Sequence, residues 1–268
     1  MAEETRQRIK NLLIDLYGAD TGDQVYQSLL ERLVQFSALE FPNQNANRRL
    51  FDQKDVILIT YGDMVKDPDS PPLKTLHDFY RAFLQSIINT VHILPFFPYS
   101  SDDGFSIIDY KEVDPDLGSW QDIEKFKDSG SRMMFDAVIN HISSKSKWFK
   151  GFLRGDERYK DYFITVDPQQ DLSLVTRPRS LPLLTPFETV EGEKYVWTTF
   201  SADQVDLNYA NPEVLLDVLD VILFYIERGA NLIRLDAIAY LWKEIETTCI
   251  HLPQTHAVVK LLLSLIHI

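Results

Sequence analysis

What most constrains this chain is an alternation. Four short apolar runs, Val56-Ile57-Leu58-Ile59-Thr60-Tyr61, Val91-His92-Ile93-Leu94-Pro95-Phe96-Phe97-Pro98, Met133 to His141 and Gly229 to Tyr240, are separated by stretches of helical periodicity. Continuous apolar runs of that length read as strands buried on both faces. Between the first two, Leu73, Leu76, Phe79, Tyr80, Phe83, Leu84 and Ile87 recur at helical intervals behind Pro71-Pro72. Trp120 to Phe126 reads as a second helix, and Pro212 to Ile226 as a third, with Pro in its first turn and Gly229 as its stop. A βαβαβαβ order dictates parallel strands joined by right-handed crossovers, hence a doubly wound sheet or a (β/α) barrel.

Two observations favour the barrel. No Gly-x-Gly-x-x-Gly follows the first strand, so the dinucleotide-binding fingerprint is absent. Polar side chains recur at the downstream strand ends instead: Asp102 and Asp103, then Asn140 and His141, then Arg234 and Asp236. Barrel enzymes build their sites at that end. The expected fold is α/β, a (β/α)8 TIM barrel of which only the first half is present, with an N-terminal α-hairpin and an inserted subdomain after the third strand. Residues 1–50 form the helical extension, with helices over 4–17 and 23–36 and Asp23 as an N-cap. Such a hairpin serves packing or an oligomer contact. Residues 51–141 form the first part of the barrel, 142–211 a subdomain or lid, and 212–262 the fourth barrel strand with its flanking helices. Residues 263–268 fit no element and read as a non-native tail.

Composition narrows the partners. A formal net charge of −13 repels phosphate backbones and anionic lipid, so neither nucleic acid nor a membrane surface is expected. No apolar run approaches the roughly 20 residues of a membrane span. The single Cys249 excludes an internal disulfide and a cysteine-built metal site, which fits a cytoplasmic location. Trp148, Tyr159, Tyr162, Phe163, Trp197 and Phe200 crowd the insertion. Such rings suit stacking on a sugar face, and they suit a small core equally well.

The last strand carries the chemistry. Period-two alternation sets Leu232, Arg234 and Asp236 on one face. A charged pair on an apolar strand is either a structural ion pair or part of a site. Asp136-Ala137-Val138-Ile139-Asn140-His141 and Arg234-Leu235-Asp236-Ala237 resemble the first two signature blocks of the α-amylase superfamily of glycoside hydrolases and transglycosidases. The segments Ser101 to Tyr110, Leu117-Gly118-Ser119-Trp120, Thr176-Arg177-Pro178-Arg179, Trp197 to Ser201, Gln204-Val205-Asp206-Leu207-Asn208 and Ile250 to His256 are similar to its sucrose phosphorylase subfamily. The helical extension and Ile59-Thr60-Tyr61-Gly62-Asp63 look most like the branch acting on glucosylglycerate.

The resemblance implies a retaining α-glucoside phosphorylase that transfers glucosyl from glucosylglycerate or sucrose to phosphate, giving α-glucose 1-phosphate. It makes Asp236 the nucleophile and Arg234 the group that holds that carboxylate ionised and aimed. It makes Asp102, His141 and Phe105 contacts to glucose, and Gln204 and Arg179 contacts on the acceptor side, where Arg177 can also meet an anion. Asp136 is read as an internal hydrogen-bonding residue, and His251 and His256 as structural. No metal and no cofactor are expected, only phosphate as co-substrate, with a homo-oligomer open for the full-length protein. Retaining chemistry needs a second carboxyl group as acid/base. In the family that Glu follows the fifth strand, and a third carboxylate follows the seventh. The chain reads as a truncated product, inactive alone. A hydrolase or transglucosidase on the same scaffold, or a non-catalytic sugar-binding fragment, are the competing readings.

Overall fold

The computed structural model describes residues 3–37 and 51–266. In chain order its elements are helices α1 (Glu3–Tyr17) and α2 (Ala19–Ser37), strand β1 (Ile57–Thr60), helix α3 (Pro72–Phe83), strand β2 (Thr90–Ile93), helix α4 (Trp120–Asp128), strands β3 (Arg132–Val138) and β4 (His141–Ser143), helix α5 (Lys147–Leu153), strands β5 (Leu184–Thr189), β6 (Gly192–Trp197) and β7 (Gln204–Asp206), helix α6 (Pro212–Glu227), strand β8 (Ala230–Asp236) and helix α7 (Pro253–Ile266). These pack as two compact units. One takes in residues 3–37, 138–220 and 236–266, the other 51–137 and 221–235.

The second unit holds the sheet, in the order β1-β2-β3-β8. β1 runs parallel to β2 with Ile57 opposite Thr90, and β2 parallel to β3 with Thr90 opposite Arg132. Each new strand is added on the same side of its predecessor, as in a barrel, without the order reversal of a doubly wound sheet. The fold is α/β, the first four strands of a (β/α)8 barrel.

Packing follows from that order. The apolar runs that supply β2 and β3 are central and buried, and Phe96, Phe97, Phe126, Phe135 and Tyr225 form an aromatic core around them. The first and fourth apolar runs, expected as buried strands, are instead the sheet's edges. Ile57 and Ile59 of β1 are exposed, and β8 is half-buried along most of its length. An edge strand has a neighbour on one side only, so an apolar sequence does not ensure burial.

α4 starts where Ser119 precedes it, and Asp122 Oδ2 accepts both the Ser119 backbone N–H at 3.0 Å and its hydroxyl at 2.9 Å. That returning carboxylate is one arm of a capping box. α6 is followed at Gly229 by a positive φ of 97°, which halts the helix and releases the chain into β8.

In the first unit, α1 and α2 form the expected hairpin, and α7 packs on α1 through a core that includes Ile9, Leu13, Val258, Leu261 and Leu262. The second helix begins at Ala19, not at Asp23. Gly18 alone makes the turn, with φ 80°. Gly22 lies so near α1 that a Cβ would come 2.7 Å from the Leu13 carbonyl oxygen. Asp23 is therefore inside the helix, paired with Lys10 at 2.5 Å.

The run Met133 to His141, expected as one strand, is two. After β3 ends, β4 pairs antiparallel with β7, with His141 opposite Asp206 and Ser143 opposite Gln204. The rest of the insertion is folded. β5 and β6 form a hairpin, and Val166, Val175, Leu183, Trp197 and Cys249 make a small core. Tyr162, Phe163 and Trp197 are buried, so those rings are packing residues. α7 continues through Ile266, four residues into the stretch read as a tail.

Candidate active site

The second unit carries Asp102, Phe105 and Arg234 among the expected site residues. Its sheet register sets His92 opposite Met134, two residues short of Asp136. Asp136 has no exposed surface, and a buried carboxylate needs partners. It has two: His92 Nε2–H donates to Oδ2 at 2.6 Å, and Arg234 Nη1 donates to Oδ1. Arg234 thus holds the Asp136 carboxylate, and the reading of Asp136 as an internal hydrogen-bonding residue matches this geometry. The same guanidinium lies 5.7 Å from the ring centre of Phe105, within cation–π range.

Phe105 is carried by a tight 3₁₀ turn over Asp102–Gly104. Asp102 and Asp103 adopt φ of 56° and 49°, followed by Gly104 at 101°. A side chain at Gly104 would meet the Pro95 carbonyl oxygen at 2.7 Å. Two successive non-glycine residues in the left-handed region are costly, and backbone of this kind persists where its surroundings over-determine it. Here Ser100 N–H donates to Ser106 O at 3.0 Å and Ile108 N–H to Pro98 O at 2.7 Å, closing the loop around the turn. Tyr61, just beyond β1, faces the same end. Burial raises its phenol above the ordinary value, and the carboxylates of Asp103, Asp102 and Asp136 add to that.

The first unit carries His141, Arg179, Gln204 and Asp236. His141 and Gln204 lie on the paired strands β4 and β7, both nearly without exposed surface. Gln204 Nε2 donates to His141 Nε2 at 3.1 Å, while Ser201 Oγ donates to Gln204 Oε1 at 2.9 Å and so fixes which way the amide faces. Phe200 is the hub of this group. Its ring is 5.2 Å from that of His141 and 5.5 Å from that of Tyr240, and the Arg179 guanidinium lies 5.8 Å from its centre. Arg179 is exposed, whereas Arg177 donates to the Leu181 carbonyl of its own loop. Asp236 is the half-buried last residue of β8. The chain then turns at Ala237, with φ 53°, into a 3₁₀ turn over Ile238–Tyr240.

Beneath His141 lies a buried polar cluster. Asp206 accepts from Thr199 N–H at 2.8 Å, Thr199 Oγ1 at 2.6 Å and Asn140 Nδ2 at 3.0 Å, and it pairs with Lys243 Nζ at 2.6 Å. Lys243 also donates to Asn140 Oδ1 at 2.9 Å. Among the described residues, no group of three or more His, Cys, Asp or Glu side chains converges as a metal site. His251 and His256 are exposed and stacked on one another, with ring centres 5.9 Å apart.

The sequence reading missed three participants. His92 is one polar letter in an apolar strand, and Lys243 is one charge in a segment without periodicity. Asp206 was visible only inside the block that follows Gln204.

Comparison with known proteins adds the family. The alpha amylase catalytic-domain model matches residues 82–260. The chain is 52% identical over 261 residues to the glucosylglycerate phosphorylase of Spirochaeta thermophila, covering 96% of this chain and 44% of that one. It is 49% identical to the Escherichia coli protein of that name, covering 97% and 46%. The crystal structure of sucrose 6F-phosphate phosphorylase from Thermoanaerobacter thermosaccharolyticum superposes with a TM-score of 0.72 at 30% identity, covering 80% of this chain and 47% of the other. The chain therefore spans less than half the length of these relatives. A matched catalytic-domain model over most of the chain and a singly wound parallel sheet together place it: the chain belongs to the alpha-amylase family.

Proposed function

We propose that this chain is the N-terminal catalytic portion of a retaining α-glucoside phosphorylase, with glucosylglycerate as donor and inorganic phosphate as acceptor. The observation that carries the reading is the identity of about half its residues, over nearly its whole length, to proteins named glucosylglycerate phosphorylase. In this reading Asp236 attacks the anomeric carbon from the face opposite the leaving oxygen. The glycosidic bond breaks, its oxygen takes a proton from the acid/base Glu, and a β-glucosyl ester remains. A phosphate oxygen then attacks the same carbon and surrenders its proton to that Glu, and the Asp236 carboxylate departs. Two inversions give α-glucose 1-phosphate with retention.

In this reading Arg234 orients the nucleophile, Asp102, His141 and Phe105 contact glucose, and Gln204 and Arg179 meet the acceptor. Exposed Arg179 supplies the positive charge that an anionic acceptor needs in a chain of net charge −13. No cofactor is required by this chemistry. The acid/base and third carboxylate belong, by the resemblance, to strands beyond the shared stretch, so this chain alone is expected to give no turnover.

The test is phosphorolysis by a protein of the relatives' full length carrying these residues. Glucose 1-phosphate from glucosylglycerate plus phosphate, abolished by Asp236→Asn, is the expected result. Release of free glucose at equal rate with and without phosphate would replace the phosphorylase with a hydrolase, and activity surviving Asp236→Asn would remove the nucleophile assignment.

A further inference from the structure

Lys243 has a side chain only 3% exposed, and the Asp206 it pairs with has none exposed. An ammonium taken out of water costs several kcal/mol unless its surroundings compensate. Burial pulls this one below its ordinary proton affinity, and Asp206 opposes that. The surroundings are organised around it. Asn140 gives its oxygen to Lys243 and its nitrogen to Asp206, so the ammonium and the carboxylate between them fix the amide's orientation. Asn140 precedes His141 in the chain, Asp206 is opposite His141 in the β4–β7 ladder, and Gln204 is two residues before Asp206.

The segment that supplies Lys243 is itself under backbone strain. Ala237, Glu246, Cys249 and His251 all have positive φ. Such a path needs external ties. Thr176 N–H donates to Thr248 O at 2.9 Å, Trp242 N–H to Thr255 Oγ1 at 3.2 Å, and Lys243 provides the ionic one. This segment begins immediately after Asp236.

We propose that Lys243 is a positioning residue: its ammonium is the fixed positive charge that locks the segment following Asp236 onto the β4–β7 ladder and sets His141 and Gln204 in their working orientation. This rests on the reading of His141 and Gln204 as sugar-site residues, but its test does not. Removing Lys243 alone leaves the Asp206 carboxylate buried and uncompensated, which destabilises a structural pair as well. The discriminating readout is therefore the state of the His141 ring and its rescue by an added cation.

The experiment is nitrogen-15 NMR of the histidine-labelled chain, with His141 assigned by His141→Gln, in wild type, Lys243→Met and Lys243→Ala. The wild type should show His141 in one fixed ring state, because Gln204 Nε2 faces its Nε2 at 3.1 Å and Asn140 Nδ2 faces its Nδ1 at 3.3 Å. Lys243→Met should lose that signature. Lys243→Ala should lose it too and regain it with added ethylammonium, though not with ethanol at equal concentration. His141 signals unchanged in Lys243→Met, or a Lys243→Ala chain to which ethylammonium restores nothing, would overturn the proposal. Should both variants fail to fold, lysine labelling of the unaltered chain decides. One ammonium protected from solvent exchange and lost in Lys243→Arg supports the proposal, and lysines that all exchange freely sink it. None of these readouts uses turnover, so a failed phosphorylase assay leaves them standing.

Discussion

Asp136 makes the strongest single-residue claim. It bridges His92 and Arg234 from a position with no exposure, so Asp136→Asn would leave one or both cationic or donor partners facing a neutral amide. Breaking a buried pair by removing one member costs about 3–5 kcal/mol. Urea denaturation of that variant should show a fall of this size in unfolding free energy, and a loss below about 1 kcal/mol would mean the pair is not holding Arg234. Asp122 offers a pH test. Burial pushes its carboxyl up, but Lys125 and Ser119 outweigh that and hold it below the ordinary carboxylate value. A depressed folded value means the unfolded state binds the proton first, so its stabilising contribution is full above the ordinary value and disappears as pH falls through the folded one. Acid titration of thermal stability should therefore show a smaller low-pH loss in Asp122→Ala than in the parent, and identical acid slopes would refute the assignment. At this scale the sequence spoke unevenly. Arg234, Asp236 and His141 stood out because charged or titratable letters ended apolar runs. His92 and Lys243 did not, because each acts through a contact across at least 37 positions that no local spacing announces.

The elements show the same division between local and distant causes. α5 begins where Ser146, fully buried, accepts the Phe149 backbone N–H at 3.1 Å. Ser146→Ala removes that acceptor and should cost about 2 kcal/mol, the upper end of the usual range for a cap, because water cannot substitute there. Chemical denaturation of the pair measures it, and a change under about 0.3 kcal/mol would contradict the capping role. Helices α3 and α6 were readable from Pro and Gly at their ends, since capping chemistry is written within a few residues. The start of α2 was not, because Asp23 looks like a cap until the approach of Gly22 to α1 is known. Nor was the break between β3 and β4. Asn140 and His141 extend an apolar run in sequence, but their hydrogen-bonding partners sit on β7, more than sixty residues downstream.

On the scale of the molecule, the decisive quantity is uncovered apolar surface. In the second unit, Ile57 and Ile59 of the edge strand β1 are 41% and 63% exposed, and Phe83 at the end of α3 and Ile87 in the turn after it are 67% and 69% exposed. Phe79 adds to the same helix, with its ring 5.1 Å from that of Phe83. An edge strand with unpaired backbone groups and outward isoleucines is a template for pairing with another chain. Contiguous apolar faces of this kind mark association surfaces. The net charge of −13 opposes self-association, but salt screens such repulsion within about 8–10 Å at physiological ionic strength, while burial of apolar area is not screened. The balance therefore favours association, and added salt should increase it. Light scattering of the purified chain should show mass rising with protein concentration and with sodium chloride. Ile59→Lys with Phe83→Glu should lower that mass toward a monomer without loss of secondary structure, since both side chains already point outward. A monodisperse 31.1 kDa particle across the whole salt range would show that these faces are not the surfaces through which the chain associates.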